Sequence, residues 1–250
     1  MQEVVQLYKR KKKSKKVLKY NAPVDQLDRS SDFESEGCKF ESCRAHHKEK
    51  NMKLFKPFGP SIGKIELKKT TISNVNDYCD KVILSKLKSK KLDHSSKLVG
   101  NVEQQLIITK SNFKKMLEKE IIISIKKYYL GVLGIKVKKI TIDSAWIVCQ
   151  YAGDFNPPHI HRGNISGVGY LKIPQTITNG REKKLAGHIS FMDGRVSMPR
   201  NSPPLVQHRQ TFKPKIGNLF IFPSFLMHDV HPFRGDGERR SFSFNAFVDS

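Results

Sequence analysis

Apolar and polar positions change their spacing near residue 138, and that change divides the chain. Between residues 52 and 137 the apolar side chains recur at intervals suited to helices. Phe58-Gly59-Pro60-Ser61 is a turn, and Ile62, Ile65 and Leu67 follow as a short strand-like run. Ser73-Asn74 can cap a helix running to about Lys88, with Val75, Tyr78, Val82 and Leu84 on one face. Residues 89–101 are polar, with Gly100 as a stop. A second amphipathic helix is expected from Ser111, its N-cap, to about Leu130, with Phe113, Met116, Leu117, Ile121 and Ile125 on one face and Gly131 beyond. The lysines between these positions read as solvated faces.

From residue 138 onward short apolar runs alternate with turn signals. Strands are expected over 139–152, 165–173, 186–192, 205–211, 217–223 and 239–248. They are joined through Asn156-Pro157-Pro158, Asn179-Gly180, Asp193-Gly194 and Gly235-Asp236-Gly237. Evenly spaced short strands build a sandwich, a jelly roll or a barrel. The expected class is therefore α+β, mainly β, with 52–137 as a helical part packed outside a 138–250 β core.

Residues 1–51 follow neither pattern: aliphatic positions are few, and a basic run extends from Lys9 to Lys16. Cys38-x4-Cys43-x2-His46-His47 offers zinc-type ligands, but crowded together, whereas structural zinc sites separate two pairs by about a dozen residues. Another reading fits better. Lys39-Phe40-Glu41-Ser42 can be encoded by AAR-TTY-GAR-TCN, which can contain the TTCGARTC of a transfer-RNA T-arm, and His46-His47 by CAYCAY, close to a terminal CCA. The expectation is a native start at Met52, with 1–51 a non-native or disordered extension read from a transfer-RNA gene.

The 250 residues carry 46 Lys+Arg against 23 Asp+Glu, a formal charge of +23. Of this, +5 falls in 1–51, +12 in 52–150 and +6 in 151–250. The excess belongs mainly to the helical part, where a lysine-rich solvated surface competes with nucleic-acid binding as its explanation; nucleic acid stays open and is not favoured. At 38% hydrophobic the chain can build a core, which excludes wholesale disorder. No apolar run approaches the ~20 residues of a membrane span and no secretory signal is evident, so a cytoplasmic protein without membrane contact is expected. Four cysteines are too few and too scattered for a disulfide framework, and Cys149 reads as a small buried apolar residue. Oligomeric state is not legible.

The histidines change the picture most. In an extended chain His159 and His161 project to one face, so both imidazoles can meet one metal. His228 is the best third ligand, because it follows the apolar run Phe220 to Met227, broken by Pro223. His231 competes for that role, whereas His188 and His208 read as surface or packing residues. In Glu238-Arg239-Arg240-Ser241-Phe242-Ser243-Phe244-Asn245 a strand would place Arg239, Ser241, Ser243 and Asn245 on one face and Arg240, Phe242 and Phe244 on the other. An arginine in such a polar pocket offers a bidentate fork for a carboxylate. Trp146, Phe220 and Phe222 read as core.

Together these segments resemble the iron(II)/2-oxoglutarate-dependent oxygenase superfamily, and within it the small phage- and marine-bacterium-type oxygenases. The matching pieces are Trp146-Ile147-Val148, Asp154 to His161, Ile165 to Pro174, Gly217 to Pro223, His228 and Arg239 to Asn245, in family order over most of the chain from Phe58. The resemblance implies a double-stranded β-helix (jelly roll) holding Fe(II), 2-oxoglutarate and O2 between its sheets. It implies oxidative decarboxylation of 2-oxoglutarate coupled to hydroxylation of a substrate that the motifs do not name. His159 would be the first iron ligand and His228 the distal one. His161 stands where most of the superfamily has the carboxylate of a His-x-Asp pair; the phage-type pattern keeps it as a ligand, with Asp154 the fallback carboxylate. Arg239, helped by Ser241, would pair with the distal carboxylate of 2-oxoglutarate, with Arg240 the alternative if the register shifts by one. Tyr170 and Ser166 would also reach the cosubstrate. Loops 174–187 and 193–216, with Lys183, Lys184, Arg195 and Arg200, would select the primary substrate, and a phage-encoded chain would act in the host cytoplasm.

Two other classes compete. Gly153-x5-His159-x-His161 matches the opening of a cupin motif, but Ile165 and Ser166 stand where a cupin expects Glu, and Gly217 lies too far before His228. A three-His site could also hold zinc and activate water. The third class is a binding module gripping nucleic acid with its basic surface. A carboxylate receptor at Arg-x-Ser separates the oxygenase from both.

Overall fold

The computed structural model describes residues 59–179, 185–192 and 209–249. All of the described residues belong to one compact unit, residues 56–250. The proposed extension with its Cys38/Cys43/His46/His47 cluster, the turns at Gly180 and Asp193-Gly194, His208, Lys183, Lys184, Arg195, Arg200 and much of the two expected loops lie outside the described residues.

Two antiparallel sheets face one another. The larger has the order β1 (Gly63–Glu66), β8 (Asn218–Pro223), β5 (Ile165–Lys172), β10 (Arg239–Asp249), β3 (Lys139–Gln150) and β2 (Gln104–Ile107). The smaller has β4 (Asn156–His159), β9 (Met227–Val230), β6 (Ile189–Met192) and β7 (Arg209–Phe212). Helices α1 (Lys69–Ile83), α2 (Lys86–Leu92), α3 (Lys110–Met116) and α4 (Glu118–Leu133) precede β3, and a short α5 (Gln175–Thr178) follows β5. The fold is thus mainly β, with a jelly-roll core and supporting helices before it. Among the described residues no helix is long and apolar enough to cross a membrane.

The period of two along the large sheet creates two distinct cores. On the helix side Ala145, Ile147 and Cys149 of β3 and Phe242, Phe244 and Ala246 of β10 pack with Val75, Cys79, Phe113, Leu117, Ile121 and Ile125. Between the sheets Val168, Tyr170, Phe220 and Phe222 meet Ile189, Phe191 and Val230. The rings of Phe242 and Phe244 fit because their neighbours across the ladder are Gly169 and Gly167. A Cβ on Gly169 would lie 2.3 Å from Phe242 Cε1, and one on Gly167 2.5 Å from Phe244 Cε1.

Helix boundaries differ from those the periodicity predicts, and the causes are contacts distant in sequence. Helix α1 starts at Lys69 rather than Ser73. Glu120 of α4 supplies the missing cap by accepting hydrogen bonds from the Lys68 amide (2.9 Å) and from Thr71 Oγ1. The helix ends at Ile83, leaving Leu84 85% exposed instead of on the buried face. The expected helix from Ser111 is two helices: Thr109 is the N-cap, its Oγ1 accepting from the Asn112 amide at 3.4 Å, and Leu117 leaves helical geometry with φ −125°. Strands β2, β4 and β9 carry too little alternation to stand out. Two prolines in Asn156-Pro157-Pro158-His159 lack amide donors, and β4 accommodates them as an edge strand paired only with β9.

Candidate metal and carboxylate site

The three histidines converge between the sheets. His159 ends β4 and lies directly across from His228 in β9, so the ladder register itself brings the two imidazoles together, with ring centroids 4.3 Å apart. His161 follows two residues later, held by its amide hydrogen bond to Ser224 O (2.9 Å), and its ring centroid is 4.9 Å from each of the other two. One ring nitrogen from each residue falls within 4.8 Å of the others. Carbonyl oxygens fix two of the rings: Pro157 O lies 2.7 Å from His159 Nδ1 and Leu226 O 2.9 Å from His228 Nδ1. A carbonyl only accepts, so each Nδ1 carries the proton and leaves the Nε2 lone pair for a ligand.

Burial keeps all three rings neutral. It lowers the pKa of His159, with the Pro157 carbonyl and Asp229 opposing it. It drives His161 down to about 3, aided by the neighbouring His228 and His159. It takes His228 down to about 4, helped by His159 and opposed by Leu226 O. Three neutral imidazoles on a shared face are donors that suit Fe, Zn, Cu or Ni ions, and they need lose no proton to bind. Trp146 packs edge-on to His161 at 5.6 Å, and Phe222 against His228 at 4.9 Å, forming apolar walls.

Arg239 lines the same cavity, with Gln150, Asn156, Val148, Ser241 and Ser243. Arg239 is 1% exposed. One arm of its guanidinium donates to Gln150 Oε1, the other to Tyr170 Oη at 3.3 Å, and the Tyr170 ring lies 4.9 Å beneath it. Its Nε is buried with no partner among the described residues, and no described carboxylate pairs with the group. Burial accordingly pulls the Arg239 pKa down and pushes the Tyr170 hydroxyl up.

Other candidates are placed elsewhere. Arg240 turns to the helix side, where Glu238 and Asp80 hold it through contacts of 2.6–2.9 Å and Asn76 Oδ1 accepts at 3.1 Å. Alternation along an unbroken strand forces this, since β10 keeps its register through Arg239 and Arg240 against β3. Ser166 is buried on the inter-sheet side, but four strand positions along the register from Ser241. It is bonded there to Ser224 Oγ and Asn245 Oδ1, both at 2.8 Å, and does not line the cavity. Asn245 is committed to that network and to Ser144. Asp154 organises a turn by accepting from the Tyr151 amide at 2.9 Å and is not among the clustered ligand groups. His231 binds Ser190 Oγ and Arg209 away from the cavity, and His188 Nδ1 bonds Ala186 O. Trp146 proves to be both core and cavity wall. Gln150 and Asn156 escape sequence reasoning. The available signal is that a polar Gln150 continues the face of Trp146 and Val148, which means nothing until Arg239 is known to lie across from it.

Residues 144–245 match the sequence model of the family described as "Putative 2OG-Fe(II) oxygenase", a span that includes every ligand candidate and Arg239. A search of curated protein sequences finds no match. Among solved structures the chain resembles SnoN, the non-heme alpha-ketoglutarate-dependent epimerase from nogalamycin biosynthesis (TM-score 0.52, 11% identity, 75% of this chain and 78% of that one). It also resembles HygX from Streptomyces hygroscopicus with nickel, 2-oxoglutarate and hygromycin B bound (0.50, 8%, 75% and 83%). A third is AviO1 from Streptomyces viridochromogenes Tue57 (0.50, 11%, 76% and 90%). At such identities the likeness establishes the fold. Residues 144–245 of this chain therefore form a domain of the 2OG-Fe(II) oxygenase family.

Proposed function

We propose that the chain is an Fe(II)- and 2-oxoglutarate-dependent oxygenase that hydroxylates an unidentified substrate, with His159, His161 and His228 as the metal ligands and Arg239 as the receptor of the cosubstrate's distal carboxylate. The observation that carries this reading is the buried Arg239 guanidinium, which has no described carboxylate partner and lines the same cavity as three neutral imidazoles. A buried charge without a partner is costly, and an anionic ligand removes the cost. When bound, the metal and the 2-oxoacid supply O2-driven oxidation of a C–H bond, chemistry no side chain provides.

The chain's own residues bind, orient and exclude water. Neutral imidazoles leave the full positive charge of a divalent ion facing the cavity, so the site attracts an anion at the metal and at Arg239 alike. The Pro157 and Leu226 carbonyls hold the His159 and His228 rings in one tautomer. Tyr170 keeps the guanidinium in place from below, and Ser241 stands beside it on the same strand face. Trp146, Val148 and Phe222 supply apolar walls beside these polar groups, and keeping water away from them strengthens each charge interaction. A cupin-like or zinc-hydrolase reading accounts for the histidines but gives the buried arginine no ligand.

Succinate production tests the proposal. The purified chain should convert 2-oxoglutarate to succinate only when Fe(II) and O2 are both supplied, and His228→Ala should abolish that conversion. Equal succinate formation by His228→Ala, or with Fe(II) withheld, would sink it.

A further inference from the structure

Arg239 and Arg240 are adjacent yet have opposite surroundings. Arg240 is matched by the carboxylates of Glu238 and Asp80. Arg239 is met only by neutral groups among the described residues, and foremost by Gln150. Gln150 is its cross-strand partner at the end of β3 and is 1% exposed. A guanidinium has only donors, so the amide must offer it Oε1, which turns Nε2 toward Asn156 Oδ1, 3.5 Å away. Asn156 Oδ1 lies close against Gly100, where a Cβ would come within 2.5 Å of it, so the glycine leaves the room this side chain occupies. The amide is thereby fixed in one orientation from both ends.

A glutamate of the same shape would hold the guanidinium at least as firmly, through a charge-assisted bond, and would cancel its charge. Glutamine orients the group through a neutral oxygen and leaves its positive charge for a ligand. We infer that Gln150 is a positioning residue that sets the charge of the Arg239 pocket, aiming the guanidinium without neutralising it, and so makes the pocket select a 2-oxoacid that carries a second carboxylate. The inference rests on the oxygenase reading and deepens it.

Anaerobic calorimetric titration of the Fe(II)-loaded chain with 2-oxoglutarate and with 2-oxopentanoate, which lacks the distal carboxylate, tests it in wild type, Gln150→Glu and Gln150→Leu. Gln150→Glu should weaken 2-oxoglutarate by about 100-fold, since the buried guanidinium is already paired. It should leave 2-oxopentanoate within about threefold of wild type, because that ligand does not use the pocket charge. Gln150→Leu, which removes an acceptor but adds no charge, should weaken 2-oxoglutarate by only about tenfold. Without ligand, Gln150→Glu should melt above wild type, whereas a purely structural role for Gln150 predicts a lower melting temperature. The inference is overturned if Gln150→Glu binds 2-oxoglutarate like wild type, weakens both oxoacids equally or fails to fold, or if Gln150→Leu is the weaker 2-oxoglutarate binder. Wild type that binds Fe(II) but not 2-oxoglutarate overturns the oxygenase reading as well, an outcome distinct from all of these.

Discussion

Replacing each of two adjacent arginines by methionine should move stability in opposite directions. Arg240 is 2% exposed and pairs with Glu238, itself 8% exposed, at 2.6 and 2.9 Å. Arg240→Met leaves that carboxylate with Lys172 at 3.1 Å, a contact from a half-exposed ammonium. Breaking a buried pair costs about 3–5 kcal/mol, and the surviving lysine argues for the lower end. For a domain of this size each kcal/mol moves Tm by about 2–4 °C, so a fall of about 6–12 °C is expected. Arg239→Met forfeits hydrogen bonds to Gln150 and Tyr170, about 1–3 kcal/mol each, but relieves an uncompensated buried charge worth several kcal/mol. Its Tm should equal or exceed that of wild type. Differential scanning calorimetry of the ligand-free proteins at neutral pH reads both shifts, and Arg239→Met melting below wild type would refute the reasoning. The acid dependence has a definite sign. Burial pushes the Glu238 carboxyl up, but its bonds to Arg240 outweigh that and hold it below the ordinary value. Its contribution is therefore complete above the unfolded glutamate value of about 4.3 and disappears as pH falls through the lower folded value. The gap between wild type and Arg240→Met should accordingly close below about pH 4.

Three further outcomes follow from the geometry. Gly169→Ala should cost about 1–3 kcal/mol in denaturant unfolding, because its Cβ would fall 2.3 Å from the Phe242 ring in a filled core. His228→Ala should lose the Fe(II)-induced rise in Tm, whereas His161→Asp should keep it, since two imidazoles and a carboxylate also form a facial iron set. Tyr170→Phe removes the acceptor of one Arg239 arm and should weaken 2-oxoglutarate about tenfold by calorimetry while Fe(II) affinity stays unchanged.

The β half was the more legible because its signals are local. Strands 165–173, 217–223 and 239–248 are short runs bounded by turn residues, the last of them alternating, and β5, β8 and β10 lie within two residues of those bounds. The face of β10 that carries Arg239, Ser241 and Ser243 followed from the same alternation. What escaped depends on residues far apart in sequence. Glu120 caps a helix some fifty residues earlier, so Ser73 was the wrong start. Strand β2 has no alternation of its own and is defined by its ladder with β3, Leu106 opposite Ile147. Gln150 acquires its role only through the register that sets it across from Arg239. Ser166 shares the inter-sheet side with the site residues but lies too far along the strand, a distance that alternation alone does not reveal.

The joint claim, a metal on three histidines beside a carboxylate receptor, is tested most directly by anaerobic titration of the wild-type chain with Fe(II) and 2-oxoglutarate, followed by visible absorption. A chelated iron–oxoacid pair gives a charge-transfer band. The band should appear only with both components, saturate at one of each per chain, vanish in His228→Ala and require far more 2-oxoglutarate in Arg239→Met. No band in wild type, or an unchanged titration in Arg239→Met, would contradict the assignment.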